Sequence, residues 1–246
     1  MHQREGRGAG GSFLLTERTS GKNGRITMIS VVGIGPGDKK YLTPMARLRI
    51  DEAELLLGGK RILELFPEAK AEKILFSWEM NLREICKRSE KVVVLASGDP
   101  LLFGVLDWVL QNLPSEEVEV ISGISTVQYM LSKLRIPLKD VVVTSLHGRD
   151  GQIFPLVLTH RTVVVFTDTR NTPVTIARAL WGRGLGECMV WVGENLSLES
   201  ESIQGFRAEE LAQKEDQFSL NLVVIQRCIP SCLEFPTGSS NVVLFL

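Results

Sequence analysis

Met28-Ile29-Ser30-Val31-Val32-Gly33-Ile34-Gly35-Pro36-Gly37-Asp38 is the stretch whose reading decides the fold. The run from Met28 to Ile34 is apolar almost throughout, the pattern of a strand buried in a parallel sheet. It ends in glycines, which take positive φ and let the backbone approach a neighbour or a ligand closely. Thr43 and Pro44 then open a helix to about Glu54, with Thr43 as N-cap and Pro44 at the first helical position.

The same alternation continues outward. Strands are predicted at Lys73–Phe76, Val92–Ala96 and Val118–Ile121, and a helical segment runs from Gly58-Gly59 to Leu65. Further helices are predicted at Asn81–Arg88, Leu101–Leu113 and Ser125–Leu134. Strand–helix repetition of this kind implies a mostly parallel sheet covered by helices on both faces. Pro137 breaks the chain near residue 138, and a second unit begins with a strand at Val141–Thr144. It continues through a strand at Thr162–Phe166, a helix at Pro173–Trp181, a strand at Cys188–Val192, a helix at Ala208–Gln213 and a strand at Leu220–Ile225. Its closing strands lack a helix between each pair, so this second sheet should be mixed. The expected organisation is a leader over 1–27, α/β domains over 28–138 and 139–228, and a tail over 229–246.

Composition narrows the function. The chain has 246 residues, 44% hydrophobic and 23% charged, with a formal net charge of -1, and so lacks the basic excess of a nucleic-acid binder. No window approaches the roughly 18 apolar residues of a membrane span. Cys86, Cys188, Cys228 and Cys232 are scattered without accompanying histidines. They read as unpaired thiols of a cytoplasmic protein, with no protein-bound metal. Residues 1–27 carry five Lys/Arg and two Asp/Glu around one short apolar patch. They hold too little apolar surface to offset their own ordering and are expected to be a dispensable, disordered leader.

Three turns sit at the carboxyl ends of predicted strands, where open α/β sheets place ligands. They are Gly33–Asp38, Ala96-Ser97-Gly98-Asp99-Pro100 and Ile121-Ser122-Gly123-Ile124-Ser125-Thr126. A dinucleotide loop would need G-x-G-x-x-G, but Asp38 occupies the third-glycine position and Pro36 has no N–H to offer a pyrophosphate. That argues against a nicotinamide-dependent oxidoreductase. Asp99 can cap the helix that Pro100 starts, and it is also the carboxylate closest to the proposed crevice. It is the single candidate for a catalytic acid–base group, and capping explains it as well.

In order and spacing these three turns, with Phe103-Gly104, resemble the motifs of the tetrapyrrole methylases. The similarity covers residues 28 to about 226. His147-Gly148-Arg149, Thr167–Pro173 and Gly193-Glu194-Asn195-Leu196 resemble the branch that methylates C5 of precorrin-7. The resemblance implies a homodimer of two α/β domains that binds S-adenosylmethionine in the cleft between them and releases S-adenosylhomocysteine. Pro36, Ser97, Gly98 and Asp99 would border the methionine part, and Leu102, Ser125 and Thr126 would line the pocket. Thr167 and Gly193 would reach toward the adenosine from the second domain. The acceptor would be a carboxylate-rich tetrapyrrole, with His147, Arg149 and Arg170 as its cationic and hydrogen-bonding contacts. A separate decarboxylating methyltransferase would be a transient partner. Two departures stand out: Ser97-Gly98 where many relatives have two glycines, and Ser122-Gly123 where many have Pro-Gly. Methyl transfer from an activated sulfonium needs alignment and exclusion of water more than acid–base machinery. The sequence indeed offers no Ser/His/Asp series. Alternatives within the family are methylation of uroporphyrinogen, of a diphthamide precursor or of ribosomal RNA. A non-catalytic small-molecule-binding protein is the remaining reading.

Overall fold

The computed structural model describes residues 28–146 and 153–227. The leader, the tail, His147, Arg149, Cys228 and Cys232 therefore lie outside the described residues. The first half contains strands β1 (Ile29–Gly33), β2 (Leu55–Gly58), β3 (Glu72–Leu75), β4 (Val92–Ala96) and β5 (Val118–Ile121). They form one fully parallel sheet in the order β3-β2-β4-β1-β5. Alternate residues of β1 and β4 serve opposite faces. Val32, Val93 and Leu95 pack with helices α1 (Pro44–Glu52) and α2 (Lys60–Leu63). Ile29, Val31, Val92 and Val94 pack with α3 (Leu82–Cys86) and α4 (Leu106–Asn112). The helices that follow the adjacent strands β1 and β4 thus leave toward opposite faces. That divergence opens a crevice at the carboxyl ends of these two strands, the switch point of the sheet.

Helix α5 (Thr126–Leu134) joins the halves. Ser125 caps it through the Gln128 amide, and the Gln128 side chain returns a bond to the Ser125 amide, a reciprocal capping box. Val127, Met130, Leu131 and Leu134 recur at i, i+3, i+4 and i+7. This stripe faces Val164, Leu222 and Val224 of the second sheet. Each nearly fully buried side chain in it contributes roughly 1.5–3 kcal/mol of transfer free energy.

The second sheet comprises β6 (Val141–Ser145), β7 (Thr162–Phe166), β8 (Met189–Glu194), β9 (Ser202–Arg207) and β10 (Asn221–Gln226). Its order is β6-β7-β10-β8-β9, with only the β6–β7 pair parallel. Helices α6 (Phe154–Thr159), α7 (Pro173–Trp181) and α8 (Ala208–Leu211) accompany it.

Several elements depart from the sequence expectation. Leu55-Leu56-Leu57-Gly58, left by the sequence reading between the helix to about Glu54 and the segment from Gly58-Gly59, is a buried strand between β3 and β4. Strand β9 and helix α6 were not anticipated. The helix expected from Leu101 starts at Leu106, after a series of turns in which Phe103 takes φ +53°. The Asp99 carboxylate therefore does not cap α4. It accepts from the Leu101 amide at 2.8 Å and closes a local turn.

Candidate active site

The three glycine turns are locked to one another by backbone. Gly35 donates to the Gly98 carbonyl at 3.2 Å, and Gly98 returns a bond to the Gly35 carbonyl at 2.8 Å. A Cβ on Gly123 would stand 2.4 Å from the Gly98 oxygen, and one on Gly33 would stand 2.6 Å from the Gly123 nitrogen. Those two glycines are thus required by the mutual packing of the turns. Gly98 differs: its φ is +67°, and a Cβ there would lie 3.5 Å from Ser125 Cα and Thr126 N, without a clash. Its constraint is conformational.

Around these turns the two halves enclose a cavity of about 460 Å³. Pro36, Ser97, Gly98, Asp99, Leu102, Ser125 and Thr126 line it from the first half, as the sequence resemblance implies. From the second half come Phe166, Leu222 and Gly193. They lie side by side across β7, β10 and β8, because Leu222 is paired with both of the others. Gly193 is small for a reason the sequence hides: a Cβ there would stand 2.7 Å from the Met130 sulfur of α5. The Phe103 and Phe166 rings meet at 5.7 Å between centroids, joining the halves across the cavity.

Two predicted residues fall outside the lining. Thr167 stands behind it and donates to the main-chain oxygen and Oδ1 of Asn221, which does line the cavity. Arg170 is exposed, and its main-chain amide bonds to the Asp168 carboxylate. The sequence reading also missed part of the wall. Gly59, Arg61, Phe76 and Trp78 line it beyond β2 and β3, and Asn195 and Leu196 line it in the loop after β8. The strained φ of Asn195 (+47°) and Ser197 (+68°) marks this loop, since such backbone persists only where its surroundings hold it.

That loop is tied to both halves. The Asp38 amide donates to Ser197 Oγ at 2.9 Å. The Glu201 carboxylate accepts from the Tyr129 hydroxyl at 2.5 Å and the Ser197 amide at 2.6 Å, and it pairs with Lys133 at 3.1 Å. Partial burial works against ionisation of Glu201, but these donors outweigh it and hold the carboxyl below its ordinary value. Burial, together with the bond to Glu201, pushes the Tyr129 hydroxyl up to about 12. The network closes the rim of the cavity without entering it.

The family model of the tetrapyrrole (corrin/porphyrin) methylases matches residues 28–212, a span that contains every turn just described. The chain belongs to this family. Among tetrapyrrole methylases, the cobalt-precorrin-7 C(5)-methyltransferase of Salmonella typhimurium is 38% identical over 201 residues, 80% of this chain and 98% of that one. The structure of a precorrin-6Y methylase from Archaeoglobus fulgidus matches at TM-score 0.64 and 25% identity, covering 82% of this chain and 99% of that one. The uroporphyrin-III C-methyl transferase of Thermus thermophilus, solved with S-adenosylhomocysteine, matches at TM-score 0.68 and 26% identity, covering 81% and 92%. The chain is accordingly an S-adenosylmethionine-dependent methyltransferase with an α/β fold, its first sheet parallel and its second mixed. No helix among the described residues is long and apolar enough to cross a membrane.

Proposed function

We propose that this tetrapyrrole methylase transfers a methyl group to C5 of precorrin-7 or its cobalt form, in cobalamin biosynthesis. The similarity to the Salmonella enzyme over nearly all of that enzyme's length carries this reading. S-adenosylmethionine supplies a methyl carbon already made electrophilic by its sulfonium. The residues present suit such a donor. Gly98 and Ser97 offer backbone polar groups at the switch point, and Thr126 opens helix α5 beside them, its amide left free of helical partners. Leu102, Leu196 and Leu222 offer apolar wall on both sides of the cavity, which keeps water from a reactive centre. In this reading the chain's work is to align two reactants and exclude solvent. Asp99, whose carboxylate is engaged with the Leu101 amide, is not required as a base. Thr167 acts through Asn221 and does not touch the donor. His147 and Arg149 are proposed to hold carboxylate arms of the acceptor. The active form is proposed to be a cytoplasmic homodimer that makes transient contact with a separate decarboxylating methyltransferase.

The deciding experiment is anaerobic incubation of wild-type protein with pathway intermediates and donor labelled in the methyl group, followed by location of the new methyl carbon. Label at C5 of the precorrin-7 skeleton is the expected outcome. Label on uroporphyrinogen instead, or on no tetrapyrrole, would refute the assignment.

A further inference from the structure

The cavity is longer than the donor turns need. Those turns occupy the carboxyl ends of β4, β1 and β5, whereas Arg61 follows β2 and Phe76 and Trp78 follow β3. Two and three strand spacings separate β2 and β3 from β1, roughly 10 and 14 Å at about 4.8 Å each. The cavity wall therefore continues along the same sheet edge past the donor turns, and its outer part, the compartment at the ends of β2 and β3, has a different lining.

Its chemistry differs from that of the donor end. Arg61 is the only cationic residue among the described residues that line the cavity, and Asp99 is the only anionic one. Arg61 is exposed and makes no hydrogen bond or ion pair with any described residue. Three other arginines of this half are paired with carboxylates: Arg47 with Glu68, Arg49 with Glu119 and Arg88 with Glu72. Next to Arg61 stands an aromatic wall that is rigid and yet open. Trp78 is 67% exposed, while its backbone oxygen accepts from Trp108 Nε1 at 3.2 Å. Phe76 meets both tryptophan rings edge-to-face at 4.9 Å. A large exposed ring held in this way presents a flat apolar surface at little further entropic cost.

We propose that this compartment receives the acceptor, with Arg61 binding one of its carboxylate arms and Trp78 bordering the macrocycle. The assignment rests on the functional reading above and adds a specificity-determining residue to it. A guanidinium presents forked N–H donors that match a carboxylate, and the flat apolar wall suits a conjugated ring. Arg61 contributes to binding and register of the acceptor and takes no part in bond making.

Methyl transfer to anaerobic precorrin-7 is measured for wild type, Arg61→Ala and Arg61→Lys, and S-adenosylhomocysteine is titrated calorimetrically into each. Arg61→Ala should raise the acceptor KM about 10- to 100-fold, with kcat, donor affinity and thermal midpoint held. Arg61→Lys, which keeps the charge and loses the fork, should fall between the two. An unchanged acceptor KM in Arg61→Ala overturns the assignment, as does a loss confined to donor affinity. A wild-type protein that methylates no tetrapyrrole refutes the functional reading itself, and the assignment with it. That failure shows in the wild type alone and cannot be confused with the first two.

Discussion

The two edges of the first sheet are built from the same strands and treat charge in opposite ways. At the amino edge Glu119 is gripped by both arms of the Arg49 guanidinium at 2.8 Å and by the Ser30 hydroxyl at 2.8 Å. Glu72 at the start of β3 is likewise held by Arg88. At the carboxyl edge the turns are joined to one another by the backbone bonds between Gly35 and Gly98. Their side-chain bonds are local ones, such as Asp99 to the Leu101 amide, and Arg61 is left to solvent. A parallel sheet aligns all its strand ends, so every loop that follows a strand meets its neighbours on one side. One edge can then close on itself while the other stays available to ligands, and each is expected to respond differently to mutation.

The largest effect should come from breaking the packing of the turns. Gly123→Ala puts a methyl group 2.4 Å from a backbone oxygen that cannot yield. Destabilisation of about 3 kcal/mol or more is expected, a fall in thermal midpoint of roughly 6–12 °C for a chain of this size. Gly59→Ala, on the same edge, meets nothing within 4 Å and should stay within about 1 kcal/mol of wild type. Equal losses in the two variants would show that the edge is not divided in this way.

Gly98→Val should act on the ligand more than on the fold. The residue is left-handed, a conformation that costs an ordinary side chain about 1–2 kcal/mol and a β-branched one more. Relaxation of the turn should weaken S-adenosylhomocysteine at least about tenfold by calorimetry. Unaltered affinity would remove this turn from the donor site.

Arg49→Ala sharpens the contrast with Arg61. It leaves Glu119 without its fork in a partly solvated place, so a loss of about 1 kcal/mol is expected, roughly 2–4 °C in thermal midpoint. The acceptor KM should not move. A kinetic effect without a stability effect would mean that the amino edge also contributes to catalysis.

The smallest effect is on pH dependence. The Arg49 fork holds the Glu119 carboxyl below its ordinary value, against partial burial, and the Ser30 hydroxyl adds to the lowering. A depressed folded value gives stability that is complete above the ordinary carboxylate range and lost as pH falls through the folded value. Glu119→Gln should therefore lower the midpoint slightly at neutral pH and flatten its decline below about pH 4.5. A parallel decline in wild type and variant would assign the acid limb to other carboxylates.

How legible the molecule was depended on whether a signal was local. β1 and β4, apolar runs closed by glycine or by Ser-Gly turns, read directly, as did the cap Thr43, which bonds to the third residue of its helix. β2 did not read. Leu55-Leu56-Leu57 follows a helix without a break, leucine favours helix, and four buried positions show no alternation. Pairing with β3 and β4 makes it a strand. β9 is a half-exposed edge strand in which Gly205 makes room for the Trp191 ring, at 2.6 Å from where a Cβ would lie. Neither its polarity nor its glycine suggests a strand on its own. Missing β2 also meant missing Arg61, which follows it, whereas six of the donor-end candidates lay in turns that the sequence shows plainly.

The sequence by itself determined the parallel first sheet, the mixed second sheet, the family and the three turns, because burial on both faces, glycine freedom and capping are written within a few neighbouring residues. Only the tertiary structure decided which of those glycines are needed for packing and which for a left-handed turn, and that Gly193 is small to admit Met130. Only it set Arg61 and Trp78 on the cavity wall beside the donor turns. These are contacts between segments far apart in the chain, and the order β3-β2-β4-β1-β5 that creates them comes from how the strands pair.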